Sequence, residues 1–160
     1  MFTSAISTPI GRMLIRANEQ AVYFIGFPEL VPDDLPNDLT KLAAAQLEEY
    51  FEGRRQHFDF AFEQQGTDFQ QSVWKELLNI KAGSPVSYAA LSKKMNNPLA
   101  IRAIAAANGR NNLMIVVPCH RVIGSDGRLV GYAGGLWRKE WLLQHENRMT
   151  ARGQTLMTFK

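Results

Sequence analysis

The only cysteine of this 160-residue chain is Cys119, which follows the apolar run Ile115–Val117 and Pro118 and precedes His120. A single cysteine excludes an intramolecular disulfide and a cysteine-rich zinc site. Two alternatives remain, an inert buried thiol or a reactive one, and free cysteines are often buried. The proline ends a strand pattern and polar residues follow it. This order favours a reactive thiol presented at the end of a strand.

A reactive thiol needs a partner that removes its proton, because the thiolate is the nucleophile and a free cysteine titrates near ~8.5. His120 is adjacent in sequence and is the candidate base. A carboxylate that orients its imidazole would complete a relay of nucleophile, base and orienting group. Glu146 is the best candidate for that carboxylate, because the helix predicted to carry it follows the cysteine segment closely. His57 and His145 are interpreted as structural residues.

Bulk properties are those of an ordinary globular protein, with 46% hydrophobic and 21% charged residues. The net charge of +3 is a mild excess that is compatible with a polyanionic partner. No apolar run reaches the ~18 residues that a membrane span requires. The first residues also lack the basic segment of a signal peptide. Together with the unpaired cysteine, these features predict a cytoplasmic protein that does not associate with membranes.

Residues 1–65 are predicted to form an N-terminal α/β scaffold domain. They contain no cluster of ionisable residues at the spacing of a catalytic or binding site. Asp38 is the expected N-cap of a helix that runs to about Glu52. Four other segments are strand-like, and in the last of them three phenylalanines alternate with Asp59 and Ala61. The predicted strands cover residues 3–7, 12–17, 21–27 and 58–62.

Residues 66–150 are predicted to form a second, mainly helical domain, and residues 151–160 a tail without a clear pattern. The predicted fold class is therefore α+β. A strand is expected at Met114–Val117, and the loop Gly131–Gly135 could lie over a bound ligand. Asn97 is the expected N-cap of the third helix, with Pro98 as its first residue. The helices are predicted at about 68–80, 88–95, 99–108 and 137–147.

The second and third of these helices are short and joined by a tight turn, which is typical of a helix-turn-helix. The third is rich in alanine, with Ile101 and Ile104 expected to face the core and Arg102 as its one long polar side chain. A helix that reads the major groove usually carries several polar side chains. The bare face favours approach to a minor groove, with Arg102 as a wedge. The alternative for Arg102 is an ordinary solvated charge.

The segment Ile115–Val122, with Tyr132–Gly135 and Lys139–Leu143, closely resembles the O6-alkylguanine-DNA alkyltransferases, also called the methylated-DNA–protein-cysteine methyltransferases. The resemblance includes the whole Pro-Cys-His-Arg-Val motif and runs without a gap from Tyr88 to Glu146. The first half of the chain matches only in the order of its elements, which in this family form a ribonuclease-H-like domain. The resemblance implies a single-turnover repair enzyme that needs no cofactor, acts as a monomer on double-stranded DNA and flips the damaged base.

The resemblance also implies a role for each residue of the predicted relay. Cys119 would accept the alkyl group and keep it as a thioether. His120 would take the thiol proton through a water molecule, and Glu146 would orient the imidazole. Asn111 would brace the turn around the site.

Other implied roles concern the DNA and the flipped base. Tyr88 would help to rotate the nucleotide and donate a hydrogen bond to the guanine, and Arg102 would fill the vacated stack. The loop at Tyr132 and Ala133 would cover the base, and backbone carbonyls would hold its amino group. Those carbonyls would belong to Val117 and Cys119. Two further positions, Asn97 and Ala103, would contact the DNA.

Departures from the family pattern and rival functions follow from the same residues. Ala133 stands where some members have a serine, and Leu99 replaces a lysine found near the phosphates. The cysteines of a zinc-binding regulatory domain are absent, so no metal is expected.

The main rival function is that of a lesion-recognition protein without chemistry, which resembles this family but lacks the motif cysteine. Weaker rivals are a helix-turn-helix regulator with a structural cysteine and a thiol hydrolase.

Overall fold

The computed structural model describes residues 1–151, so the predicted tail, apart from Ala151, lies outside the described residues. Its strands and helices give the predicted α+β class. The chain divides into two compact units. The first contains Met1–Gln65 and Asn112–Val116, and the second contains Gly66–Asn111 and the chain from Val117 onward. No helix in residues 1–151 combines the length and the apolar character that a membrane crossing requires.

The first unit is an antiparallel sheet covered by one helix. Its strands, β1 (Phe2–Thr8), β2 (Gly11–Ala17) and β3 (Val22–Gly26), are hydrogen-bonded in that order. Helix α1 (Asp38–Phe51) packs against β1 and β2, so that the apolar faces of helix and sheet bury each other. The core side chains of this unit include Met13, Leu14, Ile15, Leu47 and Tyr50.

Two details predicted for the first unit are wrong. The N-cap of α1 is Asn37 and not Asp38, because Asn37 and Thr40 exchange side-chain-to-backbone hydrogen bonds in a capping box. Residues 58–62 form no strand, and only Phe62 pairs, in an isolated bridge with Val22. The phenylalanines of this segment pack edge to face on one another instead, a contact that alternation of aromatic residues also permits.

The second unit is built on helices. Helix α2 (Asp68–Leu77) has Thr67 as its N-cap and buries Trp74, whose indole N–H donates to the carbonyl of Ala107 at 2.9 Å. Trp74 is therefore a core residue that links α2 to α4. The other elements are β4 (Val86–Ser87), α3 (Tyr88–Lys94), α4 (Ile101–Gly109), a 3-10 helix (Cys119–Arg121), β5 (Val122–Ile123) and α5 (Leu136–Ala151).

The turn between α3 and α4 differs from its prediction. The N–H of Ala100 donates to the carbonyl of Asn97 at 3.0 Å, which closes a β-turn and delays the start of α4 to Ile101. Asn97 is therefore an exposed turn residue and not an N-cap. Ile104 is buried as expected, but Ile101 is 40% exposed and does not face the core.

Candidate active site

Two successive γ-turns replace the strand predicted at Met114–Val117. The first is centred on Ile115, whose φ is +73°, and the N–H of the next residue donates to the carbonyl of the preceding one at 2.8 Å. The second is centred on Pro118 (φ −81°, ψ 64°) and lets the Cys119 N–H donate to the Val117 carbonyl at 2.8 Å. A short β-branched run does not by itself distinguish a strand from such a buried turn.

The thiol of Cys119 lies in the wall of a cavity. Cys119 is only 4% exposed, so the expectation of a side chain presented openly at a strand end is wrong. The cavity has a volume of about 360 Å³ and a mainly apolar lining. Its wall comes from α3, from α4 and the residues after it, from the 3-10 helix and from the glycine-rich loop. Four separate segments of the second unit thus line the cavity, and one of them carries the thiol.

Six of the residues predicted for the site line this cavity, and five do not. The lining set is Tyr88, Arg102, Asn111, Cys119, Tyr132 and Ala133. His120 and Glu146 are completely buried next to the wall. Asn97 and Ala103 are exposed outside the cavity. The fifth is Val117, whose carbonyl already accepts hydrogen bonds from the Cys119 N–H and from Asn111 Nδ2, the latter at 2.8 Å.

His120 and Glu146 form a buried pair. The His120 Nε2 atom lies 2.7 Å from Glu146 Oε2. A carboxylate oxygen can only accept, so Nε2 carries a hydrogen in this contact. Burial lowers the pKa of His120 despite the opposing effect of Glu146, so the ring is neutral near pH 7. Its Nδ1 is then a proton acceptor, and it is buried without a partner among the residues described.

Arg121 is a functional residue that the sequence reasoning missed. Its Nε and Nη2 atoms donate to the two oxygens of Glu146 at 2.8 Å each, and Nη1 donates to the carbonyl of Ile80 at 2.6 Å. Burial alone would raise the pKa of Glu146, but His120 and Arg121 hold it well below its ordinary value. Position 121 inside the recognised motif was the available signal, since an arginine in an apolar segment needs a buried acid.

The pKa of the Cys119 thiol is raised by burial, which outweighs the hydrogen bond from Asn111 and the nearby charge of Lys139. The thiol is consequently protonated near pH 7. Its proton has to be removed during a reaction, and the unpartnered Nδ1 of His120 is a suitable acceptor. Reactivity therefore depends on an acceptor positioned to take the thiol proton during the reaction, and not on a thiolate formed beforehand.

Lys139 is a second residue that was missed. It is fully buried in α5, and its Nζ donates to the carbonyls of Val122, Val130 and Gly131 at 2.7, 2.8 and 3.3 Å. Burial lowers its pKa to about 8. These bonds tie the start of the glycine-rich loop to α5 and to β5. At the other end of the loop, a Cβ on Gly134 would lie 2.9 Å from the ring of Tyr132, so only glycine permits this packing.

We expect Lys139→Met to loosen the glycine-rich loop, because three carbonyl oxygens lose their donor. Hydrogen exchange of the backbone amides in residues 130–135 should become faster, by about tenfold or more if opening becomes ~1.4 kcal/mol easier. Lys75→Met, at an exposed position of α2, is the matched control. Unchanged exchange in the loop of Lys139→Met would contradict this role.

Models of one protein family match most of the chain. Residues 68–148 match the DNA-binding domain of 6-O-methylguanine DNA methyltransferase, and residues 1–64 match its ribonuclease-like domain. The chain belongs to this family. The family assignment and the α+β architecture made from the sequence are thus confirmed.

Individual relatives cover from about two thirds to nearly all of the chain. A methylated-DNA–protein-cysteine methyltransferase of Methanosarcina barkeri is 42% identical over 91% of this chain and 97% of its own length. One from Mycobacterium tuberculosis is 49% identical over 65% of this chain and 63% of its own length. The crystal structure of M. tuberculosis OGT in complex with DNA aligns with a TM-score of 0.85 at 38% identity, covering 93% of this chain and 94% of that one.

Proposed function

We propose that this member of the family repairs DNA by direct reversal, transferring the alkyl group of O6-alkylguanine to Cys119 in a single turnover. The observation that carries the proposal is a thiol in the wall of a cavity, backed by a buried histidine and carboxylate. Both relatives described above are named methylated-DNA–protein-cysteine methyltransferases, which supports the proposal. Cys119 disfavours a lesion-recognition protein without chemistry.

The chemistry is a displacement at carbon. The sulfur of Cys119 attacks the alkyl carbon in line, the bond from that carbon to the guanine oxygen breaks, and its electron pair stays on the base. The thiol proton moves to Nδ1 of His120, through a water molecule, and the base takes up a proton to become guanine. A thioether is left on Cys119 and has no ready path back, so each molecule reacts once.

The pKa values support this assignment of roles. The thiol carries its proton at neutral pH, His120 is neutral, and Glu146 is ionised. Glu146 and Arg121 fix the imidazole with Nδ1 as the acceptor, so little reorganisation accompanies proton transfer. Holding the sulfur and the alkyl carbon near ~3–3.5 Å in line supplies much of the remaining acceleration.

The size of the cavity supports base flipping. About 360 Å³ is at the lower end of the range for small-molecule sites, which suits one base and not a duplex. The reacting oxygen of the lesion lies inside the helix, so the nucleotide has to leave the stack at a cost of a few kcal/mol. Arg102 is exposed on α4 at the rim, where its side chain can occupy the vacated space. Asn97 and Ala103 are proposed to contact the DNA backbone beside it.

We expect Arg102→Ala to slow methyl transfer from duplex DNA by at least about tenfold, equivalent to ~1.4 kcal/mol, because the empty stack is no longer filled. Transfer from the free base, which needs no flipping, should be unchanged. Single-turnover rates with both substrates measure the difference. Arg110→Ala, another exposed arginine next to α4, is the control. An equal loss with both substrates would contradict the wedge role.

The experiment that tests the function uses a duplex with a single O6-methylguanine. After incubation, the peptide that contains Cys119 is weighed by mass spectrometry, and the DNA is analysed for restored guanine. Stoichiometric methylation of that peptide is expected. An unmodified peptide from a protein that binds this DNA tightly would favour lesion recognition.

We further propose that the protein acts as a monomer in the cytoplasm, with access to chromosomal DNA.

A further inference from the structure

We propose that Asn108 is a positioning residue that fixes the hydroxyl of Tyr88 as a hydrogen-bond donor toward the flipped base. Asn108 lies in the last turn of α4, is 4% exposed and lines the cavity. It was not singled out in the sequence. The inference rests on the proposed function, since it concerns how the same cavity holds its base.

One amide nitrogen of Asn108 contacts two parts of the site. Its Nδ2 lies 3.0 Å from the Tyr88 hydroxyl oxygen and 3.2 Å from the carbonyl oxygen of Cys119. Both contacts are buried. The side chain thus joins the tyrosine of α3 to the backbone of the nucleophile.

The chemistry of these partners decides the orientation of the amide. A carbonyl oxygen can only accept, so the amide atom next to Cys119 has to be the nitrogen. That nitrogen has two hydrogens, one for each partner. The Tyr88 oxygen therefore accepts from Asn108, and its own hydrogen has to point elsewhere. Tyr88 lines the cavity, and no acceptor for that hydrogen is found in the part of the chain that the structure describes.

A hydroxyl that accepts one hydrogen bond is a stronger donor in the next, because the two bonds polarise each other. The Asn108 contact also works against the rise in the pKa of Tyr88 that burial causes. As the alkyl carbon leaves, negative charge develops on the purine, and a donor already aimed at the ring stabilises it. Asn108 would accordingly act through Tyr88 and would not touch the base.

The other end of the amide supports a functional role. Asn108 Oδ1 is buried and has no partner among residues 1–151. A buried acceptor without a partner reduces stability, so packing alone would favour an apolar residue of the same size. An amide at this position fits a side chain whose role is to donate these two hydrogen bonds.

The test is a double-mutant cycle on single-turnover methyl transfer from duplex O6-methylguanine, using Asn108→Leu, Tyr88→Phe and the double variant. Asn108→Leu should slow transfer about tenfold or more. The same substitution should have little further effect once Tyr88 is phenylalanine, because the hydroxyl through which it acts is gone. Asn108→Asp should be slower than Asn108→Leu, since a carboxylate repels the Cys119 carbonyl and accepts the tyrosine hydrogen.

Controls separate this inference from the proposed function. Asn79→Leu, at an exposed position outside the cavity, should react like the wild type. If the wild type transfers no methyl group, the proposed function fails. If the wild type reacts and Asn108→Leu reacts equally fast, or if the losses from Asn108→Leu and Tyr88→Phe add fully, the positioning role is overturned. Asn108→Ser gives the same comparison should the leucine variant not fold.

Discussion

Cys119→Ala should show no methyl transfer while its affinity for duplex DNA remains roughly that of the wild type. The sulfur is the only thiol in the chain, so no other side chain can form the thioether. Removal of Sγ leaves the hydrogen bonds of the Cys119 backbone with Val117 and Asn108 in place, because neither involves the side chain. Mass spectrometry of the protein after incubation with O6-methylguanine DNA measures the transfer, and a gel-shift or anisotropy titration measures the affinity.

Two controls make the result specific. The wild type should gain one methyl group per molecule and then stop, and prior alkylation of Cys119 by iodoacetamide should block the gain. Salt should weaken DNA binding of the wild type and of Cys119→Ala to the same extent, because phosphate contacts do not involve the thiol. Methylation of Cys119→Ala at any other residue would contradict the assignment of the acceptor.

Glu146→Gln should have the second largest effect, on both stability and transfer. It leaves the buried guanidinium of Arg121 without its carboxylate and gives His120 a neutral partner. Breaking a buried ion pair by removing one member typically costs about 3–5 kcal/mol. Urea unfolding at pH 7 measures this loss. The transfer rate should also fall by about 10²-fold or more, because Nδ1 of His120 is no longer held as the acceptor.

The pH dependence of stability gives a separate check on Glu146. Its pKa in the folded protein lies well below the ordinary value of 4.5. The unfolded chain therefore takes up the proton first as the pH falls. The stabilisation by Glu146 is complete above about pH 4.5 and is lost as the pH falls toward the folded pKa. Wild-type stability should drop across this acidic range, and Glu146→Gln should drop less.

The matched control for Glu146→Gln is Glu140→Gln, an exposed glutamate in the same helix. Its unfolding free energy and transfer rate should remain close to those of the wild type, since surface pairs contribute little. Equal stability of Glu146→Gln and Glu140→Gln at pH 7 would contradict the buried network.

Much of the site could be predicted because its chemistry is concentrated in few residues. A single cysteine limits the nucleophile to one position, and a histidine beside it limits the base. The choice of Glu146 relied on the family resemblance and on the expected proximity of its helix, and the 2.7 Å contact with His120 agrees with it. The N-caps Thr67 and Ser87 depend only on hydrogen bonds to residues three positions ahead, so they are the kind of feature that a sequence pattern can indicate.

Other features depended on contacts between distant segments. Arg121 is adjacent to the relay, but its two partner residues, Glu146 and Ile80, are 25 and 41 residues away. Lys139 binds carbonyls of a loop and a strand that no sequence pattern links to it. The prediction of a strand before Cys119 is wrong for a similar reason. A buried apolar run can be a strand or a turn, and here its backbone groups form hydrogen bonds within turns.

The sequence by itself determined the family and the α+β class, and it indicated a candidate acceptor cysteine with a candidate relay, because residue type and spacing limit the chemistry that each position can perform. Only the tertiary structure decided that the thiol is buried in a cavity wall and that Asn108 joins Tyr88 to Cys119. It also decided that Arg121 pairs with Glu146 and that Lys139 donates to backbone carbonyls. Protonation state and hydrogen-bond direction depend on burial and on which groups meet, and these are properties of the folded chain.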